Sequence, residues 1–166
     1  MDIACAYAAA EVRRDHPCHG IVEIAEITHG RGAWLHVDGA IGLWSRMSPE
    51  LAPLARGLEL ADSWTTDAHK WLNVPYDCGI AICAHPEAHR ASMTATAAYL
   101  IPGDGDVRDG VDWVPEFSRR ARGIPAYAAL RALGRDGVVD LVERPCRLAR
   151  LFAERLAAHP GVRVLN

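Results

Sequence analysis

Two short blocks hold the residues of this chain best equipped for covalent chemistry. In "WLHVDGAIGLW" the carboxylate of Asp38 ends a mostly apolar run, and in "DSWTTDAHKWLNVPYDCG" Lys70 directly follows His69. Lys70 is the one lysine among 18 Lys and Arg residues, so generic positive charge is supplied by arginine. A guanidinium stays protonated in proteins, whereas a desolvated amine can lose its proton and condense with a carbonyl as a Schiff base. Asp38 is followed by Gly39 and Ala40, small enough to let a flat ring approach. Each residue also has a plainer reading: a lone lysine is usually a solvated surface charge, and an aspartate after a strand often caps a turn.

The chemistry requires elements that bring the two blocks together. "IVEIAEITHGRGAWLHVDGA" reads as a helix ending near Gly30 and then the strand "AWLHV", with Ile21, Ile24, Ala25 and Thr28 on one helical face. "MSPELAPLARG" predicts a short helix capped by Ser48, with Pro49 at its first position. "DSWTT", "GIAICAH" and the terminal "VRVLN" predict further strands, and "PEAHRASM" a helix. "IPGDGDVRDGVDW", residues 101–113, reads as a long loop. The C-terminal third predicts one helix from Pro125 to Gly134 and a second after Asp136, kinked or broken at Pro145 and striped by Leu141, Leu148, Phe152 and Leu156. Strands alternating with helices predict an α/β layer fold. In an open α/β sheet the carboxyl ends of the strands face the ligand crevice, so Asp38 after one strand and Lys70 after the next would share one edge. An aspartate and a lysine so placed are what pyridoxal 5'-phosphate requires: the carboxylate keeps the pyridine nitrogen protonated, and the lysine holds the cofactor covalently. His69 would then serve the cofactor phosphate or a substrate carboxylate.

Composition narrows the function classes. The 166 residues suffice for one domain with a core. Half of them are apolar and the formal net charge is -3, which argues against a disordered chain, a nucleic-acid binder or a polybasic membrane-surface protein. The five cysteines are scattered without a C-x-x-C pair, and the histidines His16, His19, His29, His85, His89 and His159 lack metal-ligand spacing, so neither a disulfide framework nor a metal site is expected. The N-terminal arginines follow rather than precede the apolar start, the reverse of a secretory signal, and the expected location is the cytoplasm.

The blocks "WLHVDGAIGLW" and "ADSWTTDAHKWLNVPYDCG", with "SRRARGIPAYAALRALGRDG" further on, resemble the group II pyridoxal-phosphate-dependent decarboxylases, relatives of the aromatic amino-acid, histidine and glutamate decarboxylases. The resemblance covers roughly residues 20–166. It implies the C-terminal half of a fold type I large domain, with mostly parallel strands and flanking helices. It also implies that Lys70 is the Schiff-base lysine, that Asp38 pairs with the pyridine nitrogen, that Ala40 packs on a ring face and that His69 lies beside the phosphate and the active-site entrance. The implied activity is loss of carbon dioxide from an L-amino acid by a homodimer.

On this reading residues 1–20 are an atypical segment, expected from a mis-called start or a frameshift. Residues 21–160 form a partial cofactor-binding domain, and residues 161–166 begin a smaller C-terminal domain. Such a piece is expected to expose apolar edges and faces. Two departures keep other reactions open. Residues 101–113 contain no tyrosine to act as the proton donor common in the family, Trp113 being their one aromatic, and Asp67 stands where several relatives have asparagine near the phosphate. The alternatives are an aminotransferase or carbon-carbon lyase of the same fold, oxidative deamination, or a non-catalytic remnant. His36 alternates with Asp38 along the strand and is a candidate supporting residue. Any of Arg119, Arg120 and Arg122 could meet a carboxylate or an opposing subunit.

Overall fold

The computed structural model describes residues 6–9 as backbone, 20–94 and 108–165. Along them run β1 (Ala6–Ala9), α1 (Ile21–His29), β2 (Leu35–Asp38), β3 (Ser63–Asp67), β4 (Gly79–Cys83), α2 (Pro86–Met93) and α3 (Gly123–Ala157). The chain divides into two compact units, Met1–Ile82 with Arg122–Asn166, and Cys83–Ala121.

In the first unit the strands form one sheet in the order β1-β2-β3-β4. β1, β2 and β3 are parallel, with Ala6 opposite Leu35 and Asp38 opposite Thr65. The link from β3 to β4, residues 68–78, contains no helix and is closed by Ala68 N–H donating to Cys78 C=O at 2.8 Å. Parallel neighbours need a crossover of a dozen or more residues, usually helical. This link is instead a hairpin-type return, and the sheet is mixed.

Alternation along β2 gives the sheet two different faces. Leu35 and Val37 are buried against Ile21 and Ala25 of α1 and against Ala55, Leu58 and Ala61. Each such side chain contributes about 1.5–3 kcal/mol by leaving water. On the other face, half-buried His36 and Asp38 stand opposite Ser63 and Thr65. Ser63 Oγ is bonded there to Trp34 Nε1 and His36 Nδ1, both at 2.8 Å. A second apolar cluster joins Ala68, Leu72, Val74 and Cys78 of the β3–β4 link to Ala126 and Val138 of α3.

α1 buries Ile21, Ala25 and Thr28, the spacing of one face of a 3.6-residue helix, and ends where Gly30 N–H reaches Glu26 C=O at 2.9 Å. α3 is two helices joined at Gly134, whose φ of 61° and ψ of -172° lie outside helical space. Three expectations need correction. "MSPELAPLARG" forms no α-helix but turns and a 3-10 segment, Ala52–Ala55, and Pro53 withholds the N–H that an α-helix starting at Pro49 would donate to the Pro49 carbonyl. Ser48 still caps: its Oγ accepts from Leu51 N–H at 3.1 Å and donates to Glu143 Oε1 at 2.7 Å. Pro145 does not break α3, which keeps helical dihedrals on both sides of it. The described part of "VRVLN" forms no strand.

Residues 101–107 of the expected loop lie outside the described residues, and Gly110–Asp112 forms a 3-10 turn. Within the second unit Asp112 holds α2 through Arg90 at 2.9 Å, and the Arg108 guanidinium lies 3.8 Å from the Trp113 ring centroid. Apolar side chains are left uncovered on α3, whereas exposure was expected on the strands: Ile124, Tyr127, Leu148 and Phe152 are all exposed.

Candidate active site

The carboxyl ends of β2 and β3 are tied together one residue beyond the ladder. Gly39 N–H donates to Thr65 C=O at 2.8 Å, and Asp67 N–H donates to Ala40 C=O at 3.2 Å. These bonds hold the Asp38–Ala40 turn against the start of the Asp67–Lys70 turn, so both predicted blocks meet at one sheet edge. Gly39 is required by space: a Cβ there would lie 2.8 Å from Leu43 Cβ and 3.0 Å from Thr65 O.

Asp38 performs the plain role and keeps capacity for the chemical one. Its Oδ1 accepts Ala40 N–H at 3.0 Å, closing an Asx-type turn and fixing the orientation of the carboxylate. A carboxylate has about four acceptor sites, so an aimed, half-buried Asp38 can accept a further hydrogen bond. Ala40, also half-buried, adds one methyl group beside it.

Lys70 lies on a turn made by its own N–H to Asp67 C=O and by Asn73 N–H to Lys70 C=O, both 3.1 Å. The turn is fixed from below, because Ala68, Leu72, Val74 and Cys78 are core residues, while the Lys70 side chain stays 40% exposed. Its Nζ sits 2.7 Å from Asp67 Oδ2. This bond holds the Lys70 pKa above the ordinary lysine value; partial desolvation acts the other way, and the charges of Asp67, Tyr76 and Asp38 add to the rise. Asp38 and Lys70 therefore act on each other electrostatically across the edge.

His69 is oriented by the backbone of Cys78. Its Nδ1 lies 3.0 Å from Cys78 N–H and 3.1 Å from Cys78 C=O, so one tautomer accepts from the N–H and the other donates to the carbonyl, and either fixes the ring. The ring Nε2 is 4.0 Å from Asp67 Oδ2, beyond a hydrogen bond, and Tyr76 packs on the imidazole with ring centroids 4.0 Å apart. Sequence reasoning missed Tyr76 and the Asp67–Lys70 pair; the i,i+3 spacing of Asp67 and Lys70 was the available signal. His36 shares the face of Asp38 and bonds Ser63, and Trp71 is half-buried beside Lys70. Of the three arginines, Arg122 pairs with Asp77 at 2.9 Å and Arg119 with Glu116 at 3.3 Å. Among the described residues no group of three His, Cys, Asp or Glu could hold a metal ion, and no helix is long and apolar enough to cross a membrane.

A mixed α/β sheet with an aspartate and a lysine at adjoining strand ends has the architecture of a fold type I segment. The chain superimposes on the crystal structure of Oryza sativa TDC with PLP and tryptamine at a TM-score of 0.79, covering 97% of this chain and 34% of that one at 22% identity. With the Rhodiola rosea 4-hydroxyphenylacetaldehyde synthase structure the TM-score is 0.71, over 93% of this chain and 31% of that one at 30% identity. A family model described as "Pyridoxal-dependent decarboxylase conserved domain" matches residues 18–165, and the chain belongs to this family. In sequence it is 33% identical over 138 residues to the 4-hydroxyphenylacetaldehyde synthase of Rhodiola rosea, which is 83% of this chain and 28% of that protein. It is 36% identical over 128 residues to the L-2,4-diaminobutyrate decarboxylase of Rhizobium meliloti (strain 1021), 74% of this chain and 25% of that protein. The chain thus spans between a quarter and a third of the length of these relatives.

Proposed function

We propose that this chain is the lysine-bearing part of a pyridoxal-phosphate-dependent amino-acid carboxy-lyase. The observation that carries the reading is the tie between the two strand ends, Gly39 N–H to Thr65 C=O and Asp67 N–H to Ala40 C=O, which sets Asp38 and Lys70 at one edge. The donor set fits the cofactor: an exposed amine for its aldehyde carbon, an oriented carboxylate for its ring nitrogen, and a small residue, Ala40, where a ring would lie. Bound pyridoxal phosphate supplies an electron sink for the pair left on the substrate α-carbon as carbon dioxide departs.

The protein's own part is holding and orienting. Lys70 would hold the cofactor covalently through Nζ. Asp38, aimed by Ala40 N–H, would accept a hydrogen bond from the ring nitrogen and keep its proton in place. His69, with Nδ1 held at the Cys78 backbone, would turn Nε2 toward an anionic group of cofactor or substrate. In the intact protein, residues 21–160 belong to the large domain of a cytoplasmic homodimer, and 161–166 lead into a smaller domain.

Purified chain mixed with pyridoxal phosphate is expected to develop a visible absorbance band that borohydride removes, leaving a stable adduct on Lys70. Lys70→Ala abolishes both. A folded sample with no band beyond that of free cofactor overturns the reading and leaves a non-catalytic remnant.

A second reading, aldehyde formation with dioxygen as oxidant, is favoured by one observation: residues 101–113 contain no tyrosine. Similarity to the aldehyde synthases of Rhodiola rosea and Aedes aegypti supports it. In the full-length protein the products separate the two: both release carbon dioxide, but amine marks the carboxy-lyase, whereas aldehyde with ammonia and hydrogen peroxide, formed as one dioxygen and one water are consumed, marks the alternative.

A further inference from the structure

We propose that Asp67 is a latch on Lys70: seated 2.7 Å from Nζ, its carboxylate keeps the amine protonated in the cofactor-free chain and so governs the pH at which Lys70 captures an aldehyde. The proposal rests on the reading that Lys70 is the covalent residue. Asp67 suits this positioning role because its backbone is held on both sides, its N–H bonded to Ala40 C=O and its own C=O accepting Lys70 N–H. A carboxylate so mounted meets Nζ from a fixed backbone turn, which reduces on the Asp67 side the ordering cost that makes most exposed ion pairs weak. Its 28% exposure leaves the pair open to solvent salt.

The groups facing Lys70 from the neighbouring elements act in the same direction. Asp38 at the end of β2 and Tyr76 on the β3–β4 link both favour the ammonium, as does Asp67 at the end of β3. Among the described residues His69 also faces the pair, its Nε2 4.0 Å from Asp67 Oδ2, where as a cation it would compete for the same carboxylate.

Condensation needs the neutral amine. An ammonium first gives one proton to solvent; the nitrogen lone pair then forms a bond to the carbonyl carbon, and the carbonyl oxygen leaves as water with the two remaining amine protons. Every contact that favours the ammonium therefore slows capture at a given pH below its pKa. Asparagine at this position would keep the shape and remove the charge.

The single lysine makes the test direct. Limited reductive methylation with formaldehyde, followed across pH by mass spectrometry of the Lys70 peptide with the N-terminal amine as internal standard, reads Lys70 without the cofactor. Asp67→Asn is expected to label several-fold faster than the native chain at the same pH, with its profile displaced to lower pH. Asp67→Glu, which restores the charge, returns the rate toward the native one. Raising salt accelerates native labelling more than that of Asp67→Asn, which keeps only the weaker influence of Asp38, because salt screens an exposed pair. Equal labelling of native and Asp67→Asn chains overturns the latch. If Asp67→Asn fails to fold, native labelling that ignores salt overturns it equally. Absorbance on adding pyridoxal phosphate is the separate arm: a formaldehyde result as expected with no pyridoxal band in either chain would keep the latch and overturn the cofactor reading.

Discussion

At the scale of single residues, the site depends on one absent side chain. Gly39 leaves just enough room for Leu43 and the Thr65 carbonyl, and its N–H makes the 2.8 Å bond that ties β2 to β3. Gly39→Ala is expected to cost about 1–3 kcal/mol through overpacking. It should also weaken pyridoxal phosphate capture beyond what lost stability explains, because the turn carrying Asp38 must shift; urea unfolding and absorbance titration of the same samples measure the two effects. That Asp38 and Lys70 lie at neighbouring strand ends was legible in the sequence, one as a carboxylate after an apolar run and the other as the single lysine after the next strand. The control of His69 by Cys78 was not, because the groups that orient the ring are backbone atoms, and backbone atoms leave no mark on residue type. The Asp67–Lys70 contact was hidden for a related reason: three residues' separation brings side chains together only if the intervening backbone turns.

Among the elements, α1 and β2 were legible because hydrophobic period distinguishes them: Ile21, Ala25 and Thr28 at helical spacing, then Leu35 and Val37 at alternate positions. "MSPELAPLARG" misled because its capping signal is real while Pro53, one turn on, removes a bond of the element that normally follows. Ser48 has become a joint instead. Fully buried, it bonds Leu51 N–H within its own turn and Glu143 on α3, 95 residues away. Ser48→Ala leaves both partners short of a bond and is expected to lower stability by about 1–3 kcal/mol. A lower denaturant midpoint with an unchanged slope is the predicted signature. Lys70 labelling should be unaffected, as neither partner touches the site turn. Of the kink or break expected at Pro145, the break is absent: α3 keeps helical dihedrals through it, though the proline has no N–H to give the Leu141 carbonyl.

For the whole molecule, the notable quantity is the apolar surface left in water. Leu148 and Phe152, four residues apart on α3, are 58% and 66% exposed, and Ile124 and Tyr127 are more than half exposed on the same element. Exposed apolar patches of this kind drive association. The chain is expected to self-associate as concentration rises, and Leu148→Gln with Phe152→Gln to reduce this with little change in melting temperature, as sedimentation velocity and thermal unfolding would report. The buried footing of the β3–β4 link has a different consequence. Ala68, Leu72, Val74 and Cys78 are core residues in their own right, so selection for a foldable chain would preserve them in a lineage that had stopped doing chemistry. Lys70, on the exposed side of the same turn, has no such protection. Under drift the lysine would be lost early and the rest of the block late, which makes the survival of that one side chain a better witness to working chemistry than the motif around it.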